Sequence, residues 1–185
     1  MAYMYKSTRS TTSTVSELMN MNMIIGGCLC GSVKYEVVAP ANCVIHCHCS
    51  RCRKGHASLF ATCAVVEKSD FQLVQGMDVL TSYTNPPNVS RMFCSVCGCS
   101  IVYTVKSFAD KVFYYPATID HGAHPGHPVG SEHHIYVESK AQWEQFETSL
   151  PWHHEDFDKD LYNQGRHSWV QNVKVESSHI KKNSK

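Results

Sequence analysis

The sequence predicts a small, mainly β fold stapled by zinc, with one or two short helices. Three observations predict it. Apolar residues recur with period two over many short segments, the signature of strands. Helical periodicity is confined to one stretch near the end of the domain. Seven of the 10 cysteines sit in three tight clusters, Cys28-Leu29-Cys30, Cys47-His48-Cys49-Ser50-Arg51-Cys52 and Cys94-Ser95-Val96-Cys97. Sulfur at such spacings binds metal.

Taken in order, residues 1–23 read as a disordered leader, rich in Ser and Thr with Lys6, Arg9 and a single acid, Glu17. That composition is mildly like an organelle transit peptide. The domain runs over 24–156. Val33, Tyr35 and Val37 alternate with Lys34 and Glu36, so one strand face is apolar and the other polar. Leu59 to Val66 is an apolar run holding Cys63. Phe71 to Val74 and Val79 to Tyr83 flank a turn at Gly76-Met77-Asp78, and Asn85-Pro86-Pro87-Asn88 is a loop. Val89 to Phe93, Ser100 to Val105, Val112 to Thr118 and His133 to Val137 are further strands, rich in β-branched and aromatic residues. A helix is expected after Ser139, which would cap it with Gln142 three residues on, ahead of Trp143 and Phe146. The polar stretch 157–185 reads as a tail in which Trp169 and Val170 could dock.

The bulk composition bounds the partners. A length of 185 residues with 43% hydrophobic content fits one domain with a modest tail. A net charge of +1 gives no electrostatic case for nucleic acid or an anionic membrane surface as the main partner. No stretch reaches the roughly 18 apolar residues of a membrane span. No secretory signal is visible, so a cytoplasmic setting with reduced thiols is expected, with organelle targeting by the leader left open. The oligomeric state is not legible.

The spacings explain how the cysteines meet a metal. Residues i and i+2 of a strand share a face, which sets Cys28 beside Cys30 and Cys47 beside Cys49. Cys94-Ser95-Val96-Cys97-Gly98 is a tight knuckle in which Gly98 can take a positive φ, and Cys49-Ser50-Arg51-Cys52 is a second. Four thiolates close a structural zinc site; three leave an open position. Spacing alone permits two groupings. Cys49, Cys52, Cys94 and Cys97 can share one ion, or Cys28, Cys30, Cys94 and Cys97 can, with Cys47, Cys49 and Cys52 holding a second.

Three strings, Gly26 to Tyr35, Cys47 to Lys54 and Arg91 to Gly98, resemble the glutathione-dependent formaldehyde-activating family, which includes centromere protein V. The segments His134 to Trp143 and Leu150-Pro151 are similar to its C-terminal part, so the resemblance covers about 24–155. It implies the second grouping: Cys28, Cys30, Cys94 and Cys97 as structural zinc ligands, and Cys47, Cys49 and Cys52 as catalytic zinc ligands. Two zinc ions per chain follow, on an Mss4-like or β-tent fold. It also implies condensation of glutathione with formaldehyde to S-hydroxymethylglutathione, a carbon–sulfur lyase run in reverse.

An open three-thiolate zinc suits a fourth thiolate, which would attack a small carbonyl. Arg53 and Lys54, beside Arg51 and His56, are the expected clasp for a glutathione carboxylate. His48, between two ligands on a strand, should point away from the metal, and His46 flanks the pair. Cys43, Cys63 and Cys99 are expected as small buried apolar groups. The run His121-Gly122-Ala123-His124-Pro125-Gly126-His127 is expected as a loop, with Asp120 a candidate acid or base. Three functions are compatible with this reading: a zinc lyase or synthase on glutathione adducts of formaldehyde or a related small carbonyl, the same scaffold acting on a larger substrate, and a non-catalytic zinc-binding interaction module.

Overall fold

A computed structural model describes residues 23–84, 88–156, 160 and 162. The expected leader up to residue 22, the tip of the 85–88 loop, Trp169 and Val170 lie outside the described residues. Ten strands are described: β1 (Ile24–Gly27), β2 (Lys34–Val37), β3 (Cys43–Cys47), β4 (Ala61–Glu67), β5 (Phe71–Gln75), β6 (Leu80–Thr84), β7 (Val89–Cys94), β8 (Ser100–Val105), β9 (Lys111–Tyr114) and β10 (Glu132–Ile135). One helix, α1 (Ser50–His56), accompanies them, with several 3-10 turns. The mainly β class read from the periodicity is the class observed.

The described residues fall into two compact units, one built from the chain up to 40 and 66–125, the other from 41–65 and the chain from 126 on. In the first, β2 pairs antiparallel with β1 and with β5. The alternation in β2 is realised: Val33, Tyr35 and Val37 are fully buried while Lys34 is exposed. Tyr35 stacks on Phe71 at 5.1 Å between ring centres, and its hydroxyl lies 2.8 Å from Thr118 Oγ1. Burying each such side chain contributes about 1.5–3 kcal/mol. In the same unit β6, β7, β8 and β9 lie side by side in that order, each antiparallel to the next, and Tyr103 of β8 stacks on Phe113 of β9. β9 ends at Tyr114, short of the expected Thr118, because Pro116 has no N–H to pair and starts a 3-10 turn.

In the second unit β3 is the central strand. It pairs antiparallel with β4, Cys43 opposite Val65 through Cys47 opposite Ala61, and parallel with β10, Glu132 opposite Val44 through Ile135 opposite Cys47. Cys43, Val44 and Ile45 are all buried, so side chains on both faces of this strand are covered and period two is missing there. β10 stops at Ile135 because Tyr136 turns into the left-handed region, φ 57°.

The helix expected after Ser139 does not form. Val137–Ser139 is a 3-10 turn, and the chain from Lys140 to Phe146 holds no helix. The reason lies in what packs: Glu144 and Phe146, two apart, both face His48, and i, i+2 neighbours share a side only in extended backbone. Trp143, read as part of that helix, is 78% exposed. The helix that does form, α1, lies where a bare knuckle was expected. It has no apolar stripe, since none of its residues is buried, and so gave no periodic signal.

Candidate metal centres

In the first unit the β1–β2 turn carries Cys28 and Cys30, and the turn from β7 to β8 carries Cys94 and Cys97. The four sulfurs all lie within 4.8 Å of one another. Cys28 Sγ is 3.4 Å from Cys30 Sγ, and Cys30 Sγ is 3.8 Å from Cys94 Sγ. A tetrahedron of zinc–sulfur bonds sets its sulfurs ~3.8 Å apart, so the donor set and spacing fit zinc. Gly98 closes the second turn with φ 73°, and its N–H donates to the Cys94 carbonyl at 2.8 Å. The backbone N–H of Val33 donates to Cys28 Sγ at 3.2 Å. Hydrogen bonds from Ser32 hold the Cys30 thiol down at about 6. Both favour the thiolates a metal requires. Cys99 stays outside the quartet. Its sulfur is half-buried, 3.6 Å from the Ser100 carbonyl oxygen, rather than fully buried as Cys43 and Cys63 are.

In the second unit Cys47 ends β3, Cys49 caps α1 and Cys52 lies in its first turn, and their sulfurs too lie within 4.8 Å of one another. Cys49 Sγ accepts from the Cys52 N–H at 3.4 Å, the ordinary work of a cap done by sulfur. No fourth Cys, His, Asp or Glu joins the trio among the described residues. Hydrogen bonds from the Cys47 and Cys52 thiols, then from backbone N–H groups of Cys52 and Arg51, hold the Cys49 thiol far below its usual range. Cys47 is pushed up by the same sharing, through Cys49 and Cys52, and by burial.

Helix α1 also places the cations. Arg53, Lys54 and His56 lie in its last turn, where the helix dipole favours positive charge. Arg53 Nε donates to the His48 carbonyl at 3.1 Å, which fixes the stem and does not use the Nη pair. Arg53 and Lys54 line an open cleft of ≈ 550 Å³ with Ser50, Leu59 and Trp143. No local pattern marked Trp143 as a cleft residue, because its neighbours read as helix.

His48 points away from the sulfurs and is fully buried. Its Nδ1 lies 3.3 Å from Glu144 Oε2 and its Nε2 2.8 Å from His134 Nδ1. His46 is held between Thr62 Oγ1, 2.8 Å, and Glu132 Oε1, 2.7 Å. Burial, then the neighbouring His46 and His48, brings His134 down to about 4. Glu132 and Glu144 were singled out by no sequence signal, and His134 only as the start of a family-like segment; their place on β10 and the following chain brings them here. His121 and His124 are exposed, and His127 Nε2 lies 3.6 Å from Glu132 Oε2. None of the three belongs to a metal-ligand cluster among the described residues. Asp120 is exposed in the 3-10 turn Asp120–Gly122. No described helix is long and apolar enough to cross a membrane.

Known proteins supply a comparison. A crystal structure of a Rhodobacter sphaeroides protein is similar with a TM-score of 0.47 and 23% identity, over 70% of this chain and 99% of that one. Residues 23–139, well over half of the chain, match the family described as glutathione-dependent formaldehyde-activating enzyme. Both cysteine groups fall inside that span, and the chain belongs to this family.

Proposed function

We propose that this protein is a zinc-dependent carbon–sulfur lyase, running as a synthase, that joins glutathione to formaldehyde or a related small carbonyl in the cytoplasm. Membership of the family supports glutathione-linked formaldehyde activation as the general activity. The observation that carries the finer reading is a three-sulfur set with no fourth protein ligand among the described residues, next to a cationic cleft. In this reading Cys28, Cys30, Cys94 and Cys97 hold a structural zinc, and Cys47, Cys49 and Cys52 hold a second.

When bound at the trio, zinc supplies positive charge that favours the thiolate form of an incoming thiol. The remaining work falls to the chain. Arg53 presents its Nη pair to a glutathione carboxylate, and Lys54 adds a second cation on the exposed side. The peptide is thereby held with its sulfur at the trio and its reach restricted, so that a carbonyl carbon in the cleft comes within about 3.5 Å. The thiol proton leaves to solvent. The sulfur lone pair forms the new C–S bond, the C=O π pair moves to oxygen, and that oxygen takes a proton from water. The reverse reaction breaks the C–S bond and returns the pair to sulfur. Trp143 and Leu59 give the cleft an apolar side, which favours, as a second reading, a bulkier carbonyl partner.

Exchange NMR of glutathione and formaldehyde at equilibrium tests the proposal, with Cys49→Ser as the control. Faster exchange that vanishes in the variant is the expected result. Exchange no faster than without protein, from a chain carrying two zinc ions, contradicts it. The same assay with larger aldehydes decides between the two readings.

A further inference from the structure

Cys47 and Cys49 flank one residue, His48, and every polar group of that residue is engaged. Its N–H donates to the Ile135 carbonyl at 2.9 Å. Its own carbonyl accepts from Arg53 Nε at 3.1 Å. Its ring meets Glu144 at Nδ1 and His134 at Nε2, and is enclosed by Phe60 and Phe146, whose centres lie 5.1 and 5.2 Å away. The direction of the bonds follows from the partners. An ionised Glu144 only accepts, so His48 carries its proton on Nδ1, and its Nε2 accepts from the Nδ1–H of His134.

Glu144 is the unexpected member. Its side chain is only 5% exposed, and burying a carboxylate is costly unless its bonds repay it. It directly follows the turn at Gln142–Trp143, away from any helix end. Removing the carboxylate alone would leave the buried Nδ1–H of His48 without its acceptor. What an apolar residue could not do is fix the ring plane and tautomer of His48, and through it the backbone between the two sulfurs.

We propose that the buried chain Glu144–His48–His134 is a positioning device for the three-thiol site: it locks the segment between Cys47 and Cys49 so that both sulfurs, and the Arg53 tether on the same carbonyl, stay in one geometry. The inference rests on the trio being a metal site. It does not depend on which reaction that site performs.

The test uses the full chain loaded with metal. Zinc affinity of the trio is measured by competition with a chromophoric chelator. The d–d spectrum of the cobalt-substituted protein reads its geometry, and circular dichroism reads the fold. Glu144→Ala and His48→Ala are expected to weaken the trio metal by roughly 10–100-fold, the usual effect of losing a group that orients ligands, and to change the cobalt spectrum. The four-thiol metal should be retained. Glu144→Gln, which keeps an acceptor oxygen for Nδ1–H, is expected to restore most of the affinity. Folded Ala variants with unchanged affinity and spectrum overturn the proposal. So does loss of both metals in step with the fold, or a Gln variant no better than Ala. Weakened metal with normal exchange catalysis in the variants would leave the device standing and remove the lyase reading; variants with intact metal that lose a catalysis the parent shows would remove the device and leave the lyase reading standing.

Discussion

The two cysteine groups use the same ligand and differ in what surrounds them. The quartet draws two sulfurs from each of two turns of the first unit, and its partners are backbone N–H groups and the hydroxyl of Ser32. The apolar side chains at its turn tips, Leu29 and Val96, are exposed. The trio spans only six residues of the second unit. It is backed by His48 and Glu144 and faced by the cations of α1. On the proposed reading, four sulfurs from distant stretches tie a chain together, and three from one stretch leave a metal with a position for a substrate sulfur. The difference teaches where stability and chemistry are stored.

The sharpest way to break the comparison is to remove one sulfur from each group. Cys94→Ser should unfold the first unit, because structural zinc binding is itself folding energy, on the order of 10 kcal/mol. Cys49→Ser should keep the far-ultraviolet dichroism and thermal midpoint close to those of the parent. Equal unfolding of both would end the distinction. A smaller effect comes from Gly76, whose φ is 81° and where an added Cβ would lie 2.2 Å from the Ser32 carbonyl oxygen. Gly76→Ala should cost about 3 kcal/mol in urea unfolding, with glutathione binding by the folded fraction unchanged.

The trio side is probed by binding. Arg53→Ala should weaken glutathione by roughly 10–100-fold, the worth of a charge-assisted hydrogen bond at about 1.5–3 kcal/mol. Titration calorimetry reads this, and unchanged affinity in both Arg53→Ala and Lys54→Ala would remove these residues from the clasp. The smallest effect is on pH. His134 titrates at about 4 in the folded chain against ~6.5 when unfolded. Between those values only the unfolded chain takes up the proton. Stability from this group is therefore intact above ~6.5 and falls as pH drops toward 4, by at most about 1.4 kcal/mol per pH unit. Urea midpoints of parent and His134→Gln at pH 7 and 5 should converge on removing it; an identical slope in the variant would assign the loss elsewhere.

How much of this was legible depended on how local the signal was. β2 was plain because its two faces differ, Tyr35 buried and Lys34 exposed. β3 was not, because successive residues Cys43, Val44 and Ile45 are buried on both faces, which erases the alternation. The sulfur clusters declared themselves by spacing, yet spacing left their grouping open. Cys30 Sγ meets Cys94 Sγ across 64 positions of sequence, and no local pattern carries that. Glu144 and Trp143 were read into a helix on a capping signal. The extended backbone that turns Glu144 onto His48 is set by tertiary contacts, which override propensity.

The most direct test of the closed-versus-open distinction is a titration of the fully cobalt-loaded protein with glutathione, following the sulfur-to-metal charge-transfer absorption. The account predicts a rise worth one additional thiolate, saturating at one glutathione per chain, in the parent and in no Cys49→Ser sample. Charge-transfer absorption unchanged at saturating glutathione would mean that the trio has no position for a substrate sulfur, and the account would be wrong.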